Sequence, residues 1–136
     1  MTAQKKTKLY SGSRKTARAT AAFFPGNGKV RVNNVPVEMI TPWVARDRIM
    51  TPLQIAGDFR DKVDIDVRVQ GGGVIGQAEA TAIAVSKGLV EYFKSKDLRH
   101  KIAEFDKHLL SGDPRQTEPK KFGGPGSRRR KQKSYR

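Results

Sequence analysis

The sequence predicts an α/β domain, a sheet packed against helices in two layers, followed by a basic tail. Three observations predict it. Side chains alternate with period two at 14–23, 29–33 and 62–70, apolar residues recur at helical spacing within 39–56 and 77–109, and all periodicity stops after Ser111-Gly112-Asp113-Pro114. At 136 residues the chain is one domain with an arm. The expected organisation is a flexible basic lead-in over 1–9, a globular body over 10–113 and an extended basic tail over 114–136.

From Ser13, Arg14, Thr16, Arg18 and Thr20 alternate with Ala17, Ala19, Ala21 and Phe23, which predicts a strand with one cationic face. Pro25-Gly26-Asn27-Gly28 reads as a hairpin turn, and Lys29-Val30-Arg31-Val32-Asn33 as the returning strand. Thr41-Pro42 and Thr51-Pro52 each resemble a cap followed by proline at a first helical position, so two short helices are expected, ending near Gly57. Val63, Ile65, Val67 and Val69 alternate with Asp64, Asp66 and Arg68 in the clearest strand of the chain. The glycine-rich run 71–76 then feeds a helix from about Gln77 to Phe93, with Ala78, Ala82, Val85, Leu89 and Phe93 on its apolar stripe. Asp97 is the expected cap of a last helix carrying Leu98, Ile102, Phe105 and Leu109.

Charge is distributed unevenly. Residues 1–37 carry eight Lys or Arg and no acid, residues 119–136 eight more and again no acid, and the 81 residues between them 12 basic and 13 acidic side chains. The net charge of +15 therefore belongs to the two flanks, the pattern of a body that neutralises phosphates at several places. There is no cysteine, which removes disulfides and thiolate chemistry, and no apolar run of membrane-spanning length. A basic, acid-free start can mimic an organellar transit peptide, but the strand-like 29–32 segment argues against it.

The tail run Arg128-Arg129-Arg130-Lys131, with Lys133 beyond it and Lys120-Lys121 before it, is the strongest nucleic-acid signal, because guanidinium forks pair with phosphate oxygens at two points. Fully extended, the residues from Pro119 onward would reach about 60 Å. Arg14, Arg18, Lys29 and Arg31 are expected together on the hairpin. Gly71 and Gly76 have P-loop spacing, but Gln77 and Ala78 stand where Lys and Ser or Thr are needed, so nucleotide hydrolysis is not expected. The loop reads as a tight strand-to-helix connection. Backbone N–H groups around Gly72, Gly73 and Gln77 remain able to hold a nucleic-acid phosphate. His100 and His108 lie too far apart on one helix to share a metal, and Asp64 with Asp66 lacks a nucleophile or a pocket. No enzyme activity, metal, cofactor or small-molecule substrate is expected.

Ser13-Arg14-Lys15-Thr16-Ala17-Arg18-Ala19, Gly28-Lys29-Val30-Arg31-Val32-Asn33, Val69-Gln70-Gly71-Gly72-Gly73, Gly76-Gln77-Ala78-Glu79-Ala80, Asp113-Pro114-Arg115, Pro119-Lys120-Lys121-Phe122-Gly123 and the closing Lys133-Ser134-Tyr135-Arg136 occur in this order. Together they closely resemble the universal small-subunit ribosomal protein nine family over nearly the whole chain. The Gly-Gly-Pro-Gly at 123–126 and Tyr135, where bacterial members carry lysine, look like the archaeal and eukaryotic form. The resemblance implies a mixed sheet with a left-handed βαβ crossover, as in the second domain of small-subunit ribosomal protein five, an exception to the usual hand. It also implies a cytoplasmic constituent of the small-subunit head that binds rRNA and neighbouring head proteins, with no membrane partner. Arg14, Lys15, Arg18, Lys29, Arg31 and Arg115 of the body and the basic tail residues would meet rRNA. Arg136, Ser134 and Tyr135 would contact the anticodon stem-loop of the P-site tRNA. The alternative is an RNA- or DNA-binding protein working outside the ribosome.

Overall fold

The computed structural model describes residues 7–134. Most of the lead-in and two of the three expected tRNA contacts, Tyr135 and Arg136, lie outside the described residues.

Among the described residues five strands form one mixed sheet in the order β1-β2-β5-β3-β4. β1 (Lys8–Arg14) and β2 (Ala17–Pro25) pair antiparallel across Lys15-Thr16, with Arg14 opposite Ala17 and Lys8 opposite Phe23. β1 thus begins two residues inside the 1–9 segment. β3 (Val30–Val32) pairs antiparallel with the two-residue edge β4 (Val35–Pro36). β5 (Val63–Gln70) lies between β2, to which it is antiparallel, and β3, to which it is parallel. The parallel β3–β5 pair is joined through β4 and a helix, which makes it the βαβ unit of the fold.

The hairpin expected across 25–28 does not form, because β5 separates β2 from β3. β5, with β-branched residues along one face, supplies an eight-residue partner for β2 that the three-residue β3 cannot match. Segment 25–29 instead passes over the end of β5. Asp64 Oδ1 holds it there by accepting from the backbone N–H groups of Asn27, Gly28 and Lys29 at 2.9, 3.1 and 3.0 Å.

The two helices expected from the Thr-Pro pairs are one, α1 (Trp43–Ala56), which runs through Pro52. Ala45, Ile49, Leu53 and Ala56 are buried at steps of four, four and three, so a single stripe continues past the proline, and its burial outweighs the lost backbone hydrogen bond. Gly57, at φ 57°, ends the helix as its sequence position predicts. α2 (Val74–Phe93) starts three residues before Gln77. Ser95, not Asp97, caps α3 (Lys96–Phe105), its side chain accepting from the Leu98 N–H at 3.3 Å. The last helix breaks at Asp106, and Leu109 falls in the short α4 (His108–Ser111).

α2 packs on β1, β2 and β5, and α1 packs on α2. Beneath α2 lie Ala17, Ala19, Ala21 and Phe23 of β2 and Val63, Ile65, Val67 and Val69 of β5, all buried. Small residues bring the layers close: a methyl group at Gly12 would stand 2.6 Å from the Ala84 backbone nitrogen and 2.7 Å from the Ala80 carbonyl oxygen. On the opposite sheet face Arg18, Thr20, Arg31, Arg68 and Gln70 are exposed. No helix among the described residues is long and apolar enough to cross a membrane.

Candidate nucleic-acid interface

Three segments meet at one end of the body: the β1–β2 turn, the glycine loop entering α2, and the start of the tail. Lys15 takes a left-handed backbone (φ 53°), and its carbonyl accepts from Gln116 Nε2 at 3.3 Å. Arg14 Nη1 donates to the Arg115 carbonyl at 3.1 Å, and Arg14 bridges Asp113 in a parallel β fashion. Gly71 and Gly72 hold φ of 79° and 69°, and a methyl at Gly71 would lie 2.6 Å from the Thr16 carbonyl oxygen. The loop is therefore the close-packed connection that the sequence favours. Gln77 Nε2 donates to the Gly71 carbonyl at 3.1 Å, so this side chain closes the loop. Gly73, the N-cap of α2, is exposed, and the first turn carries no acid to offset the helix dipole. Arg14, Lys15, Thr16, Gly72 to Gly76 and Glu79, whose carboxylate is paired with Arg14, line a hollow of about 440 Å³.

A chain of alternating charges fastens this end. Glu79 of α2 receives Arg14 Nε at 2.9 Å and Arg48 Nη1 of α1 at 3.0 Å, and Asp113 receives Arg14 Nε at 3.8 Å and Arg115 Nη2 at 2.6 Å. The hydrogen-bonded Arg115 guanidinium holds the Asp113 carboxyl far below the usual carboxylate range. Arg14 is consequently a different residue from the one the alternation predicts. The two-residue turn at 15–16 resets the pleat, so Arg14 faces the helices with Ala17 while Arg18 faces out.

The open sheet face carries Arg18 and Arg31, joined by Arg68, which sequence reasoning left unassigned. Alternation puts Arg68 on the polar face of its strand, and the register supplies the rest: Thr20 pairs with Arg68 and Arg18 with Gln70, placing Arg18 and Arg68 on one surface. Arg31 is engaged by Asp66, Nε to Oδ1 at 3.1 Å. Lys29 precedes β3, beside the Val63 end of β5, and so lies at the opposite end of the sheet from Lys15. The four cations expected together thus divide among three places.

The described tail is not one extended run. Arg128 grips Glu118, Nη2–Oε1 at 2.7 Å and Nε–Oε2 at 3.1 Å, and the Lys131 N–H donates to the Gly123 carbonyl at 3.0 Å. Polar contacts thus turn the chain back on itself at the glycine-rich 123–126 segment, without any apolar core. Lys120, Lys121, Arg129, Lys131, Lys133 and Ser134 are exposed. Among the described residues no cluster of His, Asp or Glu could hold a metal. His100 pairs with Glu104 at 3.0 Å, and His108 Nδ1 lies 3.3 Å from the Gly112 carbonyl.

The profile of the family described as Ribosomal protein S9/S16 matches residues 12–136. The chain belongs to that family. It is 54% identical over 126 residues to small ribosomal subunit protein uS9 of Desulfurococcus amylolyticus, covering 93% of this chain and 90% of the relative. The Halobacterium salinarum protein of the same name is 50% identical over 93% of this chain and 96% of its own length. That of Saccharolobus solfataricus is 44% identical over the full length of both. The family is structural and not enzymatic, in keeping with a site built of cations, turns and backbone donors.

Proposed function

We propose that this protein is a structural constituent of the small ribosomal subunit head, working in the cytoplasm, and that it binds small-subunit rRNA through its body and tail. The tail runs toward the decoding centre, where Arg136, Ser134 and Tyr135 contact the anticodon stem-loop of the P-site tRNA. The observation that carries the rRNA reading is the convergence of the β1–β2 turn, the α2 entrance and the tail at one end of the body, in a chain of net charge +15. Polyanion bound there meets Lys15, the exposed Gly73 cap and the root of the tail together. Arg18 and Arg68 extend the same field along the open sheet face.

Deletion of residues 134–136 tests the tail assignment. Subunits carrying the truncated protein should assemble and sediment normally, yet release P-site tRNA faster than unaltered subunits. Equal retention of tRNA would remove the tail from that contact. Failure of the full-length chain to cosediment with small subunits would remove the ribosomal reading itself.

A further inference from the structure

Phe122 is 99% exposed, more open than any other large apolar side chain among the described residues. The segment that bears it is nonetheless built. Arg130 Nη1 donates to the Phe122 carbonyl at 3.0 Å, the Lys131 N–H to the Gly123 carbonyl at 3.0 Å, and the Glu118–Arg128 pair closes the base of the loop. A methyl at Gly124 would run into the Arg129 backbone, so the loop needs glycine there to close. Phe122 directly follows Lys120 and Lys121 in the sequence, all three are exposed, and exposed Arg129 lies on the returning limb. No acidic side chain occurs among residues 119–136.

We propose that Phe122 is a stacking platform for an unpaired nucleobase, with Lys120, Lys121 and Arg129 taking the phosphates on either side. This rests on the reading that the tail lies in RNA, and it adds a site and a ligand class to it. An apolar pocket on a protein would have to strip water from three cations to reach the ring. A single-stranded nucleotide supplies the ring's partner and the counter-charge together, since every base has a π-face and a phosphate is never more than one sugar away. The loop holds the ring away from the body, which lowers the entropy lost when a base settles on it.

The test is binding of the full chain to protein-free small-subunit rRNA, measured across a salt series. Phe122→Ala should weaken binding about tenfold at fixed salt and leave the slope of log affinity against log salt unchanged, because stacking releases no counterions. Phe122→Trp should bind as well as the unaltered protein, and Phe122→Leu should fall with the alanine variant. Full affinity in Phe122→Ala overturns the platform alone, and so does full affinity in Phe122→Leu, which would mean simple apolar burial. An unaltered chain that does not bind this RNA overturns the platform and the rRNA-binding reading together.

Discussion

Asp64 shows at the scale of one residue how a side chain acquires a role that its neighbours in sequence do not reveal. Its alternation with Asp66 and Arg68 predicts an exposed, ion-paired face, and Asp66 behaves that way with Arg31. Asp64 instead collects three N–H donors from a segment some 35 positions earlier. Those bonds, led by that from Lys29, hold its carboxyl below its ordinary value. Removing them by Asp64→Ala should cost about 2 kcal/mol in a urea titration, since bonds to a charged acceptor are lost and three donors are left to water. A depressed folded-state value stabilises the protein above the unfolded carboxylate range, about pH 4, and that contribution fades as pH falls through the folded value. The urea midpoint of the native protein should therefore drop more steeply below pH 4 than that of Asp64→Asn. Superimposable acid limbs would show that the loop is held by other means.

Elements whose own residues carry a strong period were legible in the sequence. β5 and the stripe of α2 appear where alternation and helical spacing put them, because both signals are local. Pairing was not legible, because it depends on which long apolar strand wins the place beside β2, and β5 wins over the nearer β3. Helix division failed at Pro52 for a related reason: the cost of proline is local, whereas the burial of Ile49, Leu53 and Ala56 that offsets it is tertiary. The contact between β1 and α2 was likewise invisible until the two were brought together at Gly12. There a side chain meets helix backbone, which cannot swing aside as a long side chain would. Gly12→Ala should therefore separate strand from helix and lower stability by about 2–3 kcal/mol, read as a fall in thermal midpoint. A variant as stable as the parent would mean that the two layers can part without cost.

For the molecule as a whole, the sequence shows how much positive charge there is but not how much of it is free. The candidate cations divide into those with carboxylate partners (Arg14, Arg31, Arg115 and Arg128) and those such as Lys15, Arg18, Lys120, Lys121 and Arg129 with none among the described residues. This division bears directly on RNA binding, because only a charge that reaches phosphate releases counterions. Each phosphate neutralised contributes about 0.7–0.9 to the slope of log affinity against log salt. Arg129→Gln, which removes an unpaired cation, should lower that slope by about this amount. Arg128→Gln removes a guanidinium that Glu118 already occupies. It should weaken binding by loosening the loop while leaving the slope within error of the parent. If the two substitutions lower the slope equally, the Glu118–Arg128 pair opens on RNA and the tail binds as the extended cationic strand that its composition first predicts. Unequal slopes would mean that the folded-back loop is the form that meets RNA.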